Sequence, residues 1–218
     1  RRVPPAQIAE LDNLGNDFNA LLGELESWQT HVQNENETLA HQATHDSLTG
    51  LPNRAFFEGR LMRALRNGKK HDERVAVLFL DSDRFKGIND NFGHASGDAV
   101  LVAIANRVRA QLREDDLVAR LGGDEFAVLL APLHTVEDAE HIADKILASM
   151  DMPITLPGDS SVVTSLSIGI AVYPDHGATP GALLNAADAA MYQAKRLSRG
   201  AQFTAGSERP VNSVHTRS

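Results

Sequence analysis

Two adjacent carboxylates, Asp124 and Glu125, directly follow the glycine pair Gly122-Gly123. Apolar runs flank this stretch, and a Gly-Gly pair between two such runs is typical of a β-hairpin turn. Glycine allows another molecule to approach the backbone closely, because it has no Cβ. Two acids on a glycine turn are therefore suited to holding a phosphate together with a metal ion. The alternative is a solvated hairpin tip with solubility charges, and this stretch alone favours that alternative.

A second acidic strand end changes the balance. Residues 74–80 form a continuous apolar run of strand length that ends in Asp81, as expected for a central strand covered on both faces. A carboxylate at the end of a buried strand is costly unless it is exposed at the sheet edge or holds a cation. If this strand pairs with the hairpin, Asp81, Asp124 and Glu125 converge at one edge of a sheet.

Convergent carboxylates indicate a particular chemistry. Oxygen ligands suit Mg²⁺ or Mn²⁺, and Mg²⁺ usually binds through one or two carboxylates together with substrate phosphates. Two such ions can stabilise both the attacking and the leaving oxygen of an in-line displacement at phosphorus. The predicted reaction is therefore nucleotidyl transfer, as in palm-type cyclases and polymerases. No Ser/His/Asp nucleophile set stands out, and the histidines lack metal-ligand spacing such as His-Glu-x-x-His.

Composition excludes several other classes of function. The chain has 218 residues, 42% of them hydrophobic and 23% charged, which fits a soluble globular protein. Its net charge of −8 argues against binding a nucleic-acid polymer, which needs a basic face. Because the chain contains no cysteine, disulfides and thiolate zinc sites are excluded. The sequence contains no apolar run long enough to span a membrane.

The first 42 residues carry a helical pattern of their own. Their seam positions recur at alternating spacings of three and four residues, which is a heptad pattern. A helix of this length cannot bury such a stripe against itself, so we expect a parallel dimer stalk. The alternative is a helix packed back on its own domain. The seam consists of Ile8, Leu11, Gly15, Phe18, Leu22, Leu25, Gln29, Val32, Asn36 and Leu39.

The remaining apolar patterns predict an α/β domain with a mixed, mostly antiparallel central sheet and surrounding helices. Helices are predicted over residues 55–67, 98–112, 136–150 and 181–197, and strands over 74–80, 117–121, 126–131 and 162–172. The helix over 98–112 is expected to begin at Asp98, and residues 84–94 to form a loop or a short helix. From Gln202 onward the chain lacks periodicity, and we expect disorder there.

Several motifs, in order along the chain, resemble the GGDEF domain of the diguanylate cyclase family. The stretch Gly122-Gly123-Asp124-Glu125-Phe126 matches the full family signature. The resemblance covers residues 44–205 and implies the palm-like fold of that family. Its other segments are residues 46–54, 81–94, 97–98, 167–171 and 187–195. In one departure, Ser198 and Gly200 flank Arg199 where the family usually has a glycine and an asparagine.

The resemblance implies that two GTP molecules are condensed to cyclic di-GMP, with release of two pyrophosphates. It implies two Mg²⁺ or Mn²⁺ ions in each active half-site, held by Asp81 and Asp124. Glu125 and the carbonyl of Ser82 would assist. Either Asp124 or Glu125 could also help to remove the proton from the attacking 3′-hydroxyl, and both alternatives stay open.

The resemblance also implies the contacts to GTP. Lys86, Lys195 and Arg199 would bind the triphosphate, and positive charge from Lys195 and Arg199 would assist catalysis. Asn89 and Asp98 would read the guanine. The implied substrate-binding set is completed by Arg84, Phe85, Gly122 and Gly123.

These residues also have purely structural alternatives. Asp98 could be only the N-cap of its helix, and Asn89 could merely shape a turn. Lys195 and Arg199 could be ordinary last-turn cations that face the helix dipole. Taken singly, the alternatives are equally good, whereas the joint pattern favours the functional interpretation.

Arg113 and Asp116 match the Arg-x-x-Asp pattern that the family places just before its signature. This match implies an inhibitory site that binds the product cyclic di-GMP, with Arg113 stacking on or hydrogen-bonding to a guanine. The alternative is structural, because Arg and Asp are frequent at helix ends.

Residues 5–11 and 16–21 resemble the second helix of a HAMP module, which normally follows a transmembrane helix. We therefore expect the chain to be the cytoplasmic part of a bacterial inner-membrane receptor, which reaches the membrane only through segments upstream of this chain. The predicted division is a stalk over 1–42, a catalytic domain over 43–205 and a disordered tail over 206–218. Because each domain has one GTP site, the active unit would be a homodimer joined through the N-terminal helix.

Two rival functions use parts of the same pattern. A degenerate GGDEF module could bind GTP or cyclic di-GMP as a sensor without catalysis, but the intact acidic and guanine-reading positions argue against it. A scaffold acting through its stalk and tail leaves those positions unexplained. Metal-dependent GTP binding would separate the scaffold from the other two functions, and turnover would separate the sensor from the enzyme.

Overall fold

The computed structural model describes residues 21–33, 35, 39, 41–197 and 200–206. The chain divides into two compact units, Arg1–Ala43 and Thr44–Ser218. In the first unit, residues 21–33 form a helix, α1, and the predicted HAMP-like stretch before it lies mostly outside the described residues. Among the described residues, no helix combines the length and apolar content that crossing a membrane requires.

Helix α1 exposes most of its apolar side chains. Leu21, Leu22, Leu25 and Trp28 are all exposed, although Leu22 and Leu25 belong to the predicted seam. Clustered exposed apolar side chains are typical of an interaction surface. The stalk stays a prediction.

The second unit is built around a five-stranded sheet with helices on both faces. In chain order its elements are α2 (Arg54–His71), β1 (Arg74–Ser82), α3 (Phe85–Phe92), α4 (His94–Ala110), β2 (Leu117–Gly122), β3 (Glu125–Leu133), α5 (Val136–Ser149), β4 (Ile154–Thr155), β5 (Ser161–Val162), β6 (Leu166–Tyr173), α6 (Pro180–Leu197) and β7 (Gln202–Thr204). Strands β4 and β5 pair with each other in a separate two-stranded ribbon.

The strand order of the main sheet is β2-β3-β1-β6-β7. The β1–β3, β1–β6 and β2–β3 pairs are antiparallel, whereas β6 and β7 are parallel. The prediction of a mixed, mostly antiparallel sheet is therefore confirmed.

Strand β1 lies at the centre and serves two hydrophobic cores. Its even-numbered side chains from Ala76 to Leu80 join the core under α4 and α5, and its odd-numbered side chains from Val75 to Phe79 join the core under α2 and α6. This explains the continuous apolar run, because both faces of the strand are covered. The same alternation directs Asp81, the next odd-numbered residue, to the side of the sheet that carries α2 and α6.

Helix α4 begins earlier than predicted. Gly93, with φ of 80°, caps the end of α3 and immediately precedes α4, so the two helices follow each other directly. The segment over residues 84–94, for which a loop and a short helix were both open, therefore contains helix α3. Asp98 lies in the second turn of α4 rather than before its first residue, and the N-cap alternative for Asp98 is wrong.

The expectation of disorder from Gln202 onward is wrong for the first residues of that segment. Strand β7 pairs in parallel with β6, and its side chains are buried. Gln202 Nε2 donates to Asp144 Oδ1 at 2.7 Å, and Thr204 Oγ1 donates to Glu140 Oε1 at 2.8 Å. The strand has only three residues, and two of them are polar side chains buried with polar partners. The sequence therefore shows no apolar periodicity from which the strand could be predicted. Most of the predicted tail, from residue 207 on, lies outside the described residues.

The predicted strand over residues 162–172 is divided into two elements. Strand β5 ends at Val162 in the small ribbon, and β6 begins at Leu166 in the main sheet. Between them, the carbonyl of Ser165 accepts a hydrogen bond from the N–H of Asp83 at 2.9 Å instead of continuing the ladder. The other predicted helices and strands are present with small differences at their ends.

Candidate active site

Acids from two neighbouring strands meet at one end of the sheet. In the β1–β3 ladder Asp81 lies opposite Glu125, and the N–H of Ser82 donates to the carbonyl of Asp124 at 3.3 Å. Opposed residues of an antiparallel pair share a face, with Cβ atoms about 5 Å apart. The structure thus brings together the three carboxylates whose convergence was predicted from strand pairing.

The glycine turn between β2 and β3 requires glycine for conformational reasons. Gly122 and Gly123 have φ of 145° and 52°, which residues with a side chain rarely adopt. A Cβ at either position would meet no described atom within 4 Å. The space in front of the turn is therefore open to a ligand.

Lys195, in the last turn of α6, faces the acidic site. Its Nζ lies 2.6 Å from Asp81 Oδ1. Burial raises the pKa of Asp81, the Lys195 ammonium opposes this shift, and the nearby charges of Asp124 and Glu125 reinforce it. The contact is an ion pair at a buried carboxylate oxygen. The site therefore favours a cation next to Asp81.

The turn over residues 44–53 is joined to the acidic hairpin by Arg120. Its Nη1 donates to both carboxylate oxygens of Asp46 at 3.0 and 3.1 Å, and its Nε and Nη2 donate to the carbonyl of Gly123 at 3.0 and 2.8 Å. Burial alone would raise the pKa of Asp46, but the hydrogen bonds from Thr49 and Arg120 outweigh burial, and the pKa is lowered. One guanidinium thus holds the glycine turn in place.

Arg54, the first residue of α2, contacts the same hairpin. Its Nε donates to the carbonyl of Leu121 at 3.4 Å, and its Nη2 lies 3.5 Å from Glu125 Oε2. Both charged side chains are well exposed, so the ion pair contributes little to stability. Its consequence is orientation, because it restrains the position of the Glu125 carboxylate.

Asp83 is buried and collects hydrogen bonds from two other segments. Its Oδ2 accepts from Ser165 Oγ at 2.6 Å and from the N–H of Gly200 at 3.0 Å, and its Oδ1 accepts from Ser167 Oγ at 2.8 Å. Gly200 directly follows Arg199, a predicted triphosphate ligand that lies outside the described residues. Asp83 therefore fixes the chain next to that arginine.

The residues predicted to read guanine come from two adjacent helices. Asn89 belongs to α3, and its amide packs against Gly97, the residue before Asp98 in α4. Asn89 Oδ1 is buried and accepts no hydrogen bond from the described residues, whereas Asp98 is exposed. An amide and a carboxylate from adjacent helices are thus placed side by side.

The other predicted substrate residues surround the start of α3. Arg84 has a left-handed backbone with φ of 59° and precedes the helix, and Lys86 is exposed in its first turn. Phe85 packs against the core under α4 and α5, so its backbone rather than its ring remains for a substrate contact. Ser82 is buried at the end of β1.

Arg113 and Asp116 lie at the opposite end of β2 from the glycine turn, about 20 Å away by the rise of the strand. Arg113 N–H and Nε donate to Asp116 Oδ2 at 3.1 and 3.4 Å. Asp116 Oδ1 is buried and accepts no hydrogen bond from the described residues. Both residues line a cavity of about 340 Å³ together with Arg109.

A family model described as diguanylate cyclase, GGDEF domain, matches residues 43–201. The chain belongs to the GGDEF family. The diguanylate cyclase TpbB of Pseudomonas aeruginosa is 68% identical over 202 residues, which is 93% of this chain and 46% of TpbB. This GGDEF chain therefore spans about half the length of TpbB and of the diguanylate cyclase DgcN of Escherichia coli.

Solved structures of GGDEF proteins match the fold. A structure of the GGDEF domain of P. aeruginosa TpbB, also called YfiN, has 68% identity and a TM-score of 0.73 over 74% of this chain and 94% of that chain. The coiled coil and GGDEF domain of DgcB from Caulobacter crescentus, in complex with c-di-GMP, has 25% identity and a TM-score of 0.79 over 86% of this chain and 99% of that chain. The predicted GGDEF family and its fold are confirmed.

Sequence reasoning on this GGDEF domain assigned no role to three residues that organise the site. Asp46 lies in the matched segment 46–54, and Arg120 lies in the predicted strand over residues 117–121. Asp83 lies in the matched segment 81–94, two residues after Asp81. A charged side chain within or beside an apolar strand could have indicated such a role, because a buried charge needs a partner. The identity of the partner depends on tertiary contacts, which sequence spacing does not give.

Proposed function

We propose that this GGDEF domain is an active diguanylate cyclase that joins two GTP molecules into cyclic di-GMP and releases two pyrophosphates. The observation that carries the proposal is the convergence of Asp81, Asp124 and Glu125 at the end of the β1–β3 ladder. Lys195 adds a positive charge beside Asp81 at 2.6 Å. Such a site matches the needs of phosphoryl chemistry, in which carboxylates hold cations and ammonium groups neutralise phosphate.

Divalent metal ions are used in the GGDEF family, and the residues present fit such an ion. Among the described residues, no three Asp, Glu or His side chains form a metal site on their own. This fits Mg²⁺, which usually binds one or two carboxylates and completes its shell with water and substrate phosphates. Asp81 and Asp124 would hold two Mg²⁺ or Mn²⁺ ions per half-site, with Glu125 and the Ser82 carbonyl assisting. When bound, these ions supply the positive charge that stabilises the oxygens around phosphorus.

The reaction proceeds in two equivalent steps. The 3′-oxygen of one GTP attacks the α-phosphorus of the other, a new phosphorus–oxygen bond forms, and the bond to the β-phosphate bridging oxygen breaks. Pyrophosphate leaves with that electron pair, and a carboxylate of Asp124 or Glu125 accepts the proton of the 3′-hydroxyl. A second identical step closes the ring. Lys86, Lys195 and Arg199 bind the triphosphate and neutralise its charge.

Guanine selection rests on Asn89 and Asp98. The amide of Asn89 offers N–H donors to the O6 and N7 acceptors of guanine, and adenine presents an amino group instead of O6. The exposed carboxylate of Asp98 can accept from guanine N1–H and N2–H₂. The Asn89 amide lies next to Gly97, the residue before the exposed Asp98, so a donor and an acceptor for the base come from adjacent helices, which supports a binding site at this place.

A homodimer would bring two GTP molecules together. Each domain carries one set of acids, whereas the reaction needs two GTP molecules face to face. The exposed Leu22 and Leu25 of the predicted seam support a parallel coiled coil with a second copy. Such a stalk raises the effective concentration of one half-site near the other. A signal from upstream HAMP and inner-membrane segments would regulate activity by changing the geometry of that stalk.

Product inhibition is proposed at Arg113 and Asp116. The cavity lined by these residues and Arg109 offers guanidinium groups to the guanine and phosphate of cyclic di-GMP. The buried and unpartnered Asp116 Oδ1 supports a ligand there. Because the cavity lies at the far end of β2, bound product would act without entering the GTP site.

The test is incubation of the chain with GTP and Mg²⁺, followed by chromatographic separation of the nucleotides. The parent should form cyclic di-GMP, and Asp124→Ala should reduce the rate at least about 100-fold. Glu58→Gln, an exposed change on α2, is the matched control and should retain the rate.

Failure of the parent to turn over would be resolved by a dimerising coiled coil fused before Asp46. Product from that fusion would restore the proposal, whereas metal-dependent GTP binding without product would establish the sensor function. Absence of both binding and product would leave the scaffold function.

A further inference from the structure

Gly97 faces the side chain of Asn89 across the contact between α3 and α4. A Cβ built on Gly97 would lie 1.9 Å from Asn89 Oδ1 and 3.0 Å from Asn89 Cγ. Real Cβ atoms do not approach other atoms to 1.9 Å, so any side chain at position 97 requires Asn89 to move. The third neighbour, Phe85 Cζ, would be at 3.2 Å, which small shifts can relieve.

Backbone conformation does not explain the glycine at position 97. The residue lies within helix α4 and has no positive φ. Glycine is a poorer helix former than alanine, because it loses more conformational freedom on folding. The close approach of Asn89 is therefore the physical reason for glycine at this position.

The packing of Asn89 against Gly97 also limits how the amide can turn. Asn89 Oδ1 is buried and accepts no hydrogen bond from the described residues, so no protein donor there sets its orientation. The close approach to Gly97, in the space that a Cβ would fill, limits it instead. With one end of the amide against α4, the N–H donors at the other end have a restricted direction.

We infer that Gly97 is a positioning residue for guanine recognition, because its missing side chain creates the seat in which the Asn89 amide is held. The inference rests on the proposed function of Asn89 in GTP binding. A side chain at position 97 displaces the amide, so recognition of the base weakens. The acids at the end of β1 and Lys195 in α6 remain in place.

The test is a double-mutant cycle with Gly97→Ala, Asn89→Ala and the combined variant. Gly97→Ala should raise the KM for GTP about tenfold or more, as expected for loss of a buried hydrogen bond, with kcat within about threefold. Asn89→Ala should raise the KM similarly. The combined variant should match Asn89→Ala alone, since the clash has been removed. Gly59→Ala, an exposed position in α2 with no atom within 4 Å of its Cβ, is the control and should leave the KM unchanged.

Urea unfolding of the same proteins gives a readout that does not depend on activity. Gly97→Ala should lower the unfolding midpoint when Asn89 is present and raise it in the Asn89→Ala background, where only helix propensity remains. Equal loss in both backgrounds would assign the clash to Phe85 and overturn the inference. An unchanged KM in Gly97→Ala, with a raised KM in Asn89→Ala, would overturn it as well. If Asn89→Ala leaves the KM unchanged, the guanine-reading role of Asn89 in the proposed function is wrong, and the recognition role of Gly97 is wrong with it.

Discussion

The carboxylate of Asp83 accepts the N–H of Gly200 at 3.0 Å, although the two residues are 117 positions apart. This bond ties the end of the central strand to the turn that follows α6. The same carboxylate also accepts hydrogen bonds from the hydroxyls of Ser165, in the link before β6, and Ser167, in β6. The acidic end of β1 and the predicted phosphate-binding end of α6 are thereby held in a fixed relationship.

Replacement of Asp83 by Asn should disturb both stability and GTP binding. An amide keeps one acceptor oxygen but presents an NH₂ group to donors, so at least one of the three hydrogen bonds is lost. The free energy of unfolding should fall by about 1–3 kcal/mol, and the KM for GTP should rise through the loosened turn beside Arg199. Urea unfolding and steady-state kinetics measure the two effects.

The control for this change is Asp72→Asn. Asp72 is an exposed residue with φ of 56°, a conformation that Asn tolerates, so its stability and KM should stay close to those of the parent. An Asp83→Asn variant with an unchanged KM would show that the turn after α6 does not depend on this carboxylate.

The ion pair between Asp46 and Arg120 predicts a pH-dependent contribution to stability. The folded-state pKa of Asp46 is lowered from 3.8, so its stabilisation is fully present above the unfolded-state pKa and is lost as the pH falls through the folded-state pKa. Asp46→Asn should therefore reduce the free energy of unfolding by about 1–3 kcal/mol at pH 7.

The same variant should approach the parent in stability as the pH falls below 3.8 and through the lower folded-state pKa of Asp46. Urea unfolding at several pH values gives this comparison. A difference between parent and variant that stays constant down to the lowest pH would mean that the charge of Asp46 has no role in the tether.

Removal of the stalk should make activity depend on protein concentration. Deletion of residues 1–42 leaves the catalytic unit to dimerise on its own, so turnover per protomer should fall sharply at low protein concentration. The paired change Leu22→Asp and Leu25→Asp should act in the same direction, because it places charges in the predicted seam.

Glu24→Gln is the matched control for the stalk, since it changes a charge on α1 outside the seam. Its turnover should follow the parent across the concentration range. Equal turnover of the parent and the deletion variant at the lowest concentration would contradict a role for the stalk in pairing the half-sites.

Replacement of Arg113 by Ala should weaken inhibition by added cyclic di-GMP. The guanidinium is the group proposed to contact the product base, so the concentration needed for half inhibition should rise about tenfold or more. Initial rates of GTP consumption at increasing product concentration measure this shift. Identical inhibition curves for Arg113→Ala and the parent would exclude the cavity as the inhibitory site.

The elements that could be predicted from the sequence are those whose apolar pattern is contained within one continuous segment. The run before Asp81 is apolar at every position because both faces of β1 are covered, and the strand was therefore recognisable with its acidic end. The pairing of Asp81 with Glu125 followed from placing that strand next to the hairpin. The GGDEF signature then gave the family.

Other parts depend on contacts between distant segments. The first turn of α4 lies before Asp98 because Gly93 ends one helix and precedes the next without a loop. The strand that begins at Gln202 is held by polar partners in α5. Hydrophobic periodicity in the sequence does not reveal such contacts. The seat of Asn89 exists only when α3 and α4 are packed together.

The parallel strand β7 has a practical consequence for how the domain is cut. The family match ends at residue 201, but the sheet continues to Thr204. A protein truncated at the family boundary would leave β6 as a bare sheet edge, with unpaired N–H and C=O groups along an apolar strand. Such an edge is a template for intermolecular pairing, so a truncated domain would tend to aggregate, whereas one that retains the three residues of β7 keeps this edge covered.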